Sequence, residues 1–111
     1  MKLIVAIVQD EDAARLVSEL MDHGFRVTKL ATTGGFLRAG NTTLISGVED
    51  EKLDNALGII ERICRSREQI TASAAPMGGG TATGVYVPYP IRVTVGGATV
   101  FVLEVSQFLK V

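Results

Sequence analysis

Residues 28–47 read Thr-Lys-Leu-Ala-Thr-Thr-Gly-Gly-Phe-Leu-Arg-Ala-Gly-Asn-Thr-Thr-Leu-Ile-Ser-Gly. Two runs rich in Thr, Leu and Ile flank a short loop that holds Gly34, Gly35 and Gly40. A glycine-containing loop between two such runs is typical of a β-hairpin. We therefore expect two neighbouring strands in the first half of the chain, Phe25–Thr32 and Asn41–Val48, joined by a glycine loop.

A further strand and a helix are predicted before this hairpin. The run Leu3–Val8 is continuously aliphatic, which is typical of a strand in the middle of a sheet. Asp10 and Asp12 offer capping carboxylates for a helix that follows it, and Gly24 is a candidate C-terminal glycine of that helix. The helix has apolar residues with helical spacing, which predicts an inward face of Ala13, Leu16, Val17, Leu20 and Met21.

The second half of the chain repeats the pattern. A helix opened by Asp50 has the predicted buried side Leu53, Ala56, Leu57, Ile60, Ile63 and Cys64. Gln69–Ser73 is a candidate fourth strand, and Gly96-Gly97 predicts a hairpin between Ile91–Val95 and Ala98–Val105.

The order β-α-β-β-α-β predicts an α+β fold, a ferredoxin-like sandwich with an added C-terminal hairpin strand. At 111 residues, 47% of them apolar, the chain is predicted to form a single domain over residues 1–111. Because strands such as Leu3–Val8 are apolar on both sides, we expect the second face of the sheet to be covered by further copies of the chain.

Composition argues against several function classes. A net charge of −1 without a basic tail argues against nucleic-acid binding, and the short apolar runs argue against a membrane protein. One cysteine, Cys64, fits a cytoplasmic location and is predicted to be an inert core thiol. His23 has no second metal-ligand residue at useful spacing, so we expect a surface histidine, no metal site and no catalytic residue.

The glycine loop has the chemistry of an anion site. Glycines let backbone N–H groups approach an anion closely, and Phe36 offers a stacking surface for a base. Charged and hydrogen-bonding side chains surround the loop: Arg26, Thr28, Arg38, Asn41 and Thr42. This combination predicts a small anionic heterocycle as ligand, most simply a nucleotide.

Other interpretations stay open at this point. Gly35–Thr42 matches G-x-x-x-x-G-x-[ST], but Asn41 stands where a P-loop needs lysine and a strand follows instead of a helix, so we reject a P-loop NTPase. The loop could be an ordinary hairpin turn, Phe36 a core anchor and Arg26 the partner of a surface carboxylate. A small phosphate-handling hydrolase on the same fold and a scaffold without a ligand are further alternatives.

The chain resembles the PII-like cyclic di-AMP receptor family, relatives of the nitrogen-regulatory PII proteins. The motifs that carry the resemblance are Ala6–Asp10, Lys29–Thr43, Pro76–Gly79, Pro88–Pro90 and Val95–Leu103. The resemblance implies a ferredoxin-like homotrimer that binds cyclic di-AMP at subunit interfaces, signals without catalysis and uses no other cofactor. It also implies that the loop after the second strand and the loop near residues 76–90 reorder for a downstream protein partner. A PII-like sensor of another adenine nucleotide such as ATP is the alternative within this class.

The resemblance also assigns roles to single residues. It implies that Arg26 and Thr28 face the phosphates, Phe36 stacks on adenine and Asn41 bonds a base edge or ribose. The full implied set is Arg26, Thr28, Gly35, Phe36, Leu37, Asn41, Gly47 and Phe101, with Leu37 lining the base pocket, Gly47 giving backbone contacts and Phe101 coming from the neighbouring subunit. The chain departs from the family pattern at Gly24 and Lys110, where polar and amide side chains are familiar, and in the glycine-rich loop Gly78–Gly84.

Overall fold

The computed structural model describes residues 1–30, 40–76 and 86–111, and for residues 72–76 and 86–89 it describes the backbone alone. The expectations for Gly35, Phe36, Leu37 and the loop Gly78–Gly84 lie outside the described residues. The elements, in chain order, are β1 (Lys2–Gln9), α1 (Asp10–Asp22), β2 (Thr28–Leu30), β3 (Asn41–Val48), a 3-10 turn (Asp50–Lys52), α2 (Leu53–Cys64), β4 (Arg67–Pro76), β5 (Tyr86–Val95) and β6 (Ala98–Glu104).

The main sheet is antiparallel, with the strand order β2-β3-β1-β6. β1 lies in its middle, pairing with β3 from Lys2↔Val48 to Gln9↔Asn41 and with β6 from Lys2↔Glu104 to Val8↔Ala98. Together with the two helices this is a mixed α+β fold, consistent with the predicted ferredoxin-like architecture.

The second half of the chain differs from the prediction in its pairing. β4 does exist, but it pairs with β5 over Arg67↔Val95 to Pro76↔Tyr86 in a separate two-stranded sheet. We call this unit, β4 with β5, the arm. The predicted hairpin across Gly96-Gly97 is therefore wrong, because β5 pairs with β4 whereas β6 pairs with β1. Both glycines have positive φ angles, +84° and +96°, and turn the chain from the arm into the main sheet.

The core lies between the helices and one face of the main sheet. Ile4, Ala6 and Val8 alternate inward along β1, and Leu44 from β3 lies on the same face. The helices contribute Ala13, Leu16, Leu20, Ala56, Ile59, Ile60, Ile63 and Cys64. Val17, Leu53 and Leu57 are only partly buried, and the prediction that Met21 faces inward is wrong, since it is 59% exposed.

The ends of α1 confirm one prediction and correct another. Gly24, at φ +85°, follows the helix and donates its N–H to the Met21 carbonyl, as expected of a C-terminal glycine. Asp10 and Asp12 lie inside the first turn, and the N-cap residue Gln9 makes no side-chain cap bond. Their carboxylates instead bind Thr42 and Arg67, which are distant in sequence, and such partners leave no local signal.

Candidate functional site

Three of the predicted site residues lie together at the β2 edge of the main sheet. Thr28 pairs with Ile45, and continuing the same antiparallel register places Arg26 opposite Gly47. The Ser46 hydroxyl donates to the Arg26 carbonyl at 2.6 Å, which holds this segment against β3. Side chains alternate along a strand, so Arg26, Thr28 and Gly47 share the face that points away from the helices. All three are exposed.

Gly47 leaves open space beside Arg26. A Cβ built there would meet only the Met1 sulfur, at 3.9 Å, and the φ of Gly47 is not in the positive region. Neither the backbone nor local packing therefore requires glycine at this position. Within the described part of the chain, no carboxylate lies within ion-pair distance of the Arg26 guanidinium.

Phe101 lies on the same face but on the opposite edge strand. The pairing register forms one row across the four strands, Thr28, Ile45, Val5 and Phe101. Three strand spacings separate its two ends, a distance of about 14 Å within one copy of the chain. The Phe101 side chain is 52% exposed.

Asn41, like Phe101, lies apart from the group formed by Arg26, Thr28 and Gly47. It begins β3 opposite Gln9, six residues from Gly47, which corresponds to about 20 Å along the strand. A cleft of 340 Å³ opens beside it, lined by Ile7, Gln9, Asn41, Gly96, Gly97, Ala98 and Thr99. We call it the Asn41 cleft.

Sequence reasoning missed Gln9 and the groups it contacts. The Gly96 N–H donates to Gln9 Oε1 at 2.7 Å, which joins the end of β1 to the end of the arm. The available signal was an amide closing an otherwise aliphatic strand. Asp12 was expected to cap the helix, but it is 4% exposed and accepts from Arg67 at the start of β4, with Nη2 to Oδ1 at 2.8 Å.

A separate groove lies on the helix side of the sheet. Its volume is 760 Å³, and its lining includes Ala14, Val17 and Met21 of α1, Val27 just before β2 and Lys29 of β2. It contains Thr42, which was predicted to lie near the glycine loop, but no residue of the set implied by the family resemblance. Thr42 faces the core side, is 7% exposed and donates to Asp10.

The described residues contain no cluster of candidate metal ligands. Across residues 1–30, 40–76 and 86–111, no three His, Cys, Asp or Glu residues lie close enough to hold an ion. Cys64 is 1% exposed, and burial raises the pKa of its thiol from 9.0 to about 11, so the reactive thiolate is suppressed. His23 is exposed, as predicted.

No helix within the described ranges has the length and apolar character needed to cross a membrane.

Comparisons with known proteins agree over the whole chain. A family model described as "Cyclic-di-AMP receptor" matches residues 1–111. Among solved structures, the chain is similar to a functionally unknown protein from Pediococcus pentosaceus ATCC 25745, with 43% sequence identity and a TM-score of 0.75. That match covers 99% of this chain and 96% of the other.

Proposed function

The chain belongs to the cyclic-di-AMP receptor family, and from this premise we propose that it binds cyclic di-AMP and signals its presence without catalysis. Residues 1–111 would act as one PII-like domain in the cytoplasm. Binding energy would reorder parts of the chain for a protein partner whose identity is open.

The observation that carries the proposal is the grouping of Arg26, Thr28 and Gly47 on one exposed sheet face. A guanidinium and a hydroxyl side by side are suited to phosphate oxygens, since charge-assisted bonds from arginine are short and strong. Gly47 leaves room for the ligand to approach the backbone of β3. A cyclic dinucleotide carries two phosphates and two purines, so it needs such a cation together with apolar surface for the bases.

We place the complete site between copies of the chain. Within one copy, Phe101 is about 14 Å from Thr28, and Asn41 is about 20 Å from Gly47. A compact pocket beside Thr28 and Gly47 therefore takes both of these groups from a neighbouring copy. The exposed sheet face supports association, because its apolar side chains are too many for an isolated surface. They are Leu3, Val5, Ile7, Leu30, Ile45, Phe101 and Leu103. A homotrimer closed by this face is the assembly we propose.

The remaining roles follow the family resemblance. Gly35, Phe36 and Leu37 would form the base-stacking part of the site. Gly24 and Lys110 would alter contacts at its rim, with Lys110 adding a cation near the phosphates.

Calorimetry on the purified chain tests the proposal. We expect saturable binding of cyclic di-AMP, with cyclic di-GMP, ATP and AMP binding at least about tenfold more weakly, a difference of roughly 1.4 kcal/mol. If ATP binds more tightly than cyclic di-AMP, the ligand of this protein is a mononucleotide and not the cyclic dinucleotide. Release of inorganic phosphate from any of these compounds would contradict the absence of catalysis.

Two arginine variants separate the site from general charge. Arg26→Ala should weaken cyclic di-AMP binding by at least about tenfold, because one charge-assisted phosphate contact contributes about 1.5–3 kcal/mol. Arg15→Ala removes an exposed arginine from α1, in the helix layer, and should leave binding unchanged. Equal losses in both variants would assign the effect to net charge and reject the site.

A further inference from the structure

We propose that Gln9 is a positioning residue that couples ligand binding at the Asn41 cleft to the arm. The inference rests on the proposed function, since it concerns how binding of cyclic di-AMP at that site is transmitted. It assigns a role to an amide that contacts neither the arginine nor the threonine of the candidate site.

The coupling begins in the main sheet. Gln9 pairs with Asn41 in the β1–β3 register, and both residues line the Asn41 cleft. Gly96 and Gly97, which directly follow the arm, line the same cleft. A ligand group held by Asn41 therefore lies against the residues that set the position of the arm.

The Gln9 side chain forms the contact between the Asn41 cleft and the arm. Its Oε1 accepts from the Gly96 N–H at 2.7 Å, so the amide plane is oriented by the arm. The other end of the amide, Nε2, carries two N–H donors. Restraining the amide from the cleft side restrains Gly96, and moving Gly96 displaces the amide.

Gly96 has little freedom to move alone. A Cβ at this position would lie 2.5 Å from the Arg65 carbonyl oxygen and 2.6 Å from Arg67 Nη1. The Arg67 guanidinium in turn binds the Arg65 carbonyl at 3.1 Å and the buried Asp12 carboxylate. Both strands of the arm thus start from one close-packed junction, and a shift transmitted through Gln9 acts on both.

The arm has the free surface that an output element needs. Ile70 is 65% exposed, and the side chains of Glu68 and Arg92 are 69% and 76% exposed. Because coupling free energies are reciprocal, restraining the arm would also change the affinity for the ligand.

Hydrogen exchange on the full-length chain, with and without saturating cyclic di-AMP, tests the coupling. We expect the ligand to slow exchange at the base of the arm, residues 67–69 and 93–97, by about 3- to 10-fold, the size of one hydrogen bond. Gln9→Met, which lacks the acceptor, should abolish this slowing while changing affinity less than about tenfold. Gln9→Glu keeps the acceptor for the Gly96 N–H but lacks the Nε2 donors on the cleft side, so it should also lose the ligand-dependent slowing.

A matched glutamine provides the control. Gln69→Met makes the same substitution at an exposed position on β4 and should keep the ligand-dependent slowing. Slowing that persists in Gln9→Met, or is absent from the unsubstituted chain despite ligand binding, overturns the coupling and leaves the proposed function standing. Absence of cyclic di-AMP binding to the unsubstituted chain overturns both. If Gln9→Met does not fold, slowing that persists in folded Gln9→Glu overturns the coupling.

Discussion

Arg67 Nη2 lies 2.8 Å from Oδ1 of Asp12, and a second nitrogen, Nη1, lies 3.4 Å from Oδ2. The two side chains differ greatly in exposure, 38% for Arg67 and 5% for Asp12. Among the described residues, Arg67 is the cation that pairs with this carboxylate, and its guanidinium still has access to water. The pairing holds the first residue of the arm to the first turn of α1.

We expect Arg67→Met to destabilise the protein by about 1–3 kcal/mol, because it leaves a buried carboxylate without its partner. Urea unfolding measures the loss. A double-mutant cycle with Asp12→Asn should show that the two changes are not additive. Arg92→Met is the control, since Arg92 is 3.8 Å from Glu68 at an exposed position and should cost less than about 1 kcal/mol.

The two glycines after β5 should differ in their tolerance of alanine. Gly97→Ala meets no atom within 4 Å and should cost only the strain of a positive φ, about 1–2 kcal/mol. Gly96→Ala adds a clash with backbone at 2.5 Å and should cost at least about 1 kcal/mol more. Equal melting temperatures for the two variants would show that Arg65 and Arg67 move at little cost to make room for the added methyl group.

Gly47→Val should separate binding from stability. The first added atom meets only a flexible methionine sulfur, and valine favours strands, so we expect the thermal transition to be retained. The isopropyl group would occupy space beside Arg26, and cyclic di-AMP binding should weaken by at least about tenfold. Gly58→Ala, in an open position on α2, should leave binding unchanged. Full affinity in Gly47→Val would remove Gly47 from the site.

Phe101→Ser should weaken the association of the chain with itself. Burying a phenylalanine side chain contributes about 1.5–3 kcal/mol, so sedimentation equilibrium should show the assembly dissociating at a concentration at least about tenfold higher. Ile70→Ser removes a comparably exposed side chain from the arm and should not shift the equilibrium. A monomeric unsubstituted chain would contradict the proposed trimer.

Stability should fall with rising pH between about 9 and 11 because of Cys64. The unfolded thiol ionises near its ordinary pKa of 9.0, whereas burial raises the pKa in the folded protein to about 11. Between these values the unfolded state gains thiolate, and up to about 2–3 kcal/mol of stability is lost. Urea unfolding of Cys64→Ala across this range should lack that part of the slope, because the variant has no thiol to ionise.

Local pattern was enough to predict both helices, the central β1 and the strand that follows the glycine loop. The alternation of Phe25 and Val27 against Arg26 and Thr28 also placed Arg26 and Thr28 on one face, as the β2–β3 register does. Local pattern did not predict which strands pair with each other. The Gly96-Gly97 pair is a strong hairpin signal, but β1 has an open edge that accepts β6, and β4 already occupies one edge of β5.

Met21 and Asp12 show why burial was only partly predictable. Met21 was assigned from helical spacing and Asp12 from its place at the helix start, and neither signal tells where the packed layer ends or which residue arrives from a distant strand. Met21 lies in the last turn of α1, and the buried Asp12 pairs with an arginine that is 55 residues away.

The position of β1 also affects how the chain folds as it is made. Lys2 pairs with Glu104, 102 residues downstream, so β1 keeps an unpaired edge until β6 has left the ribosome. Contacts between residues so distant in sequence slow folding and prolong the lifetime of an aggregation-prone intermediate. Nascent chains truncated before residue 98 should therefore depend on chaperones to remain unaggregated.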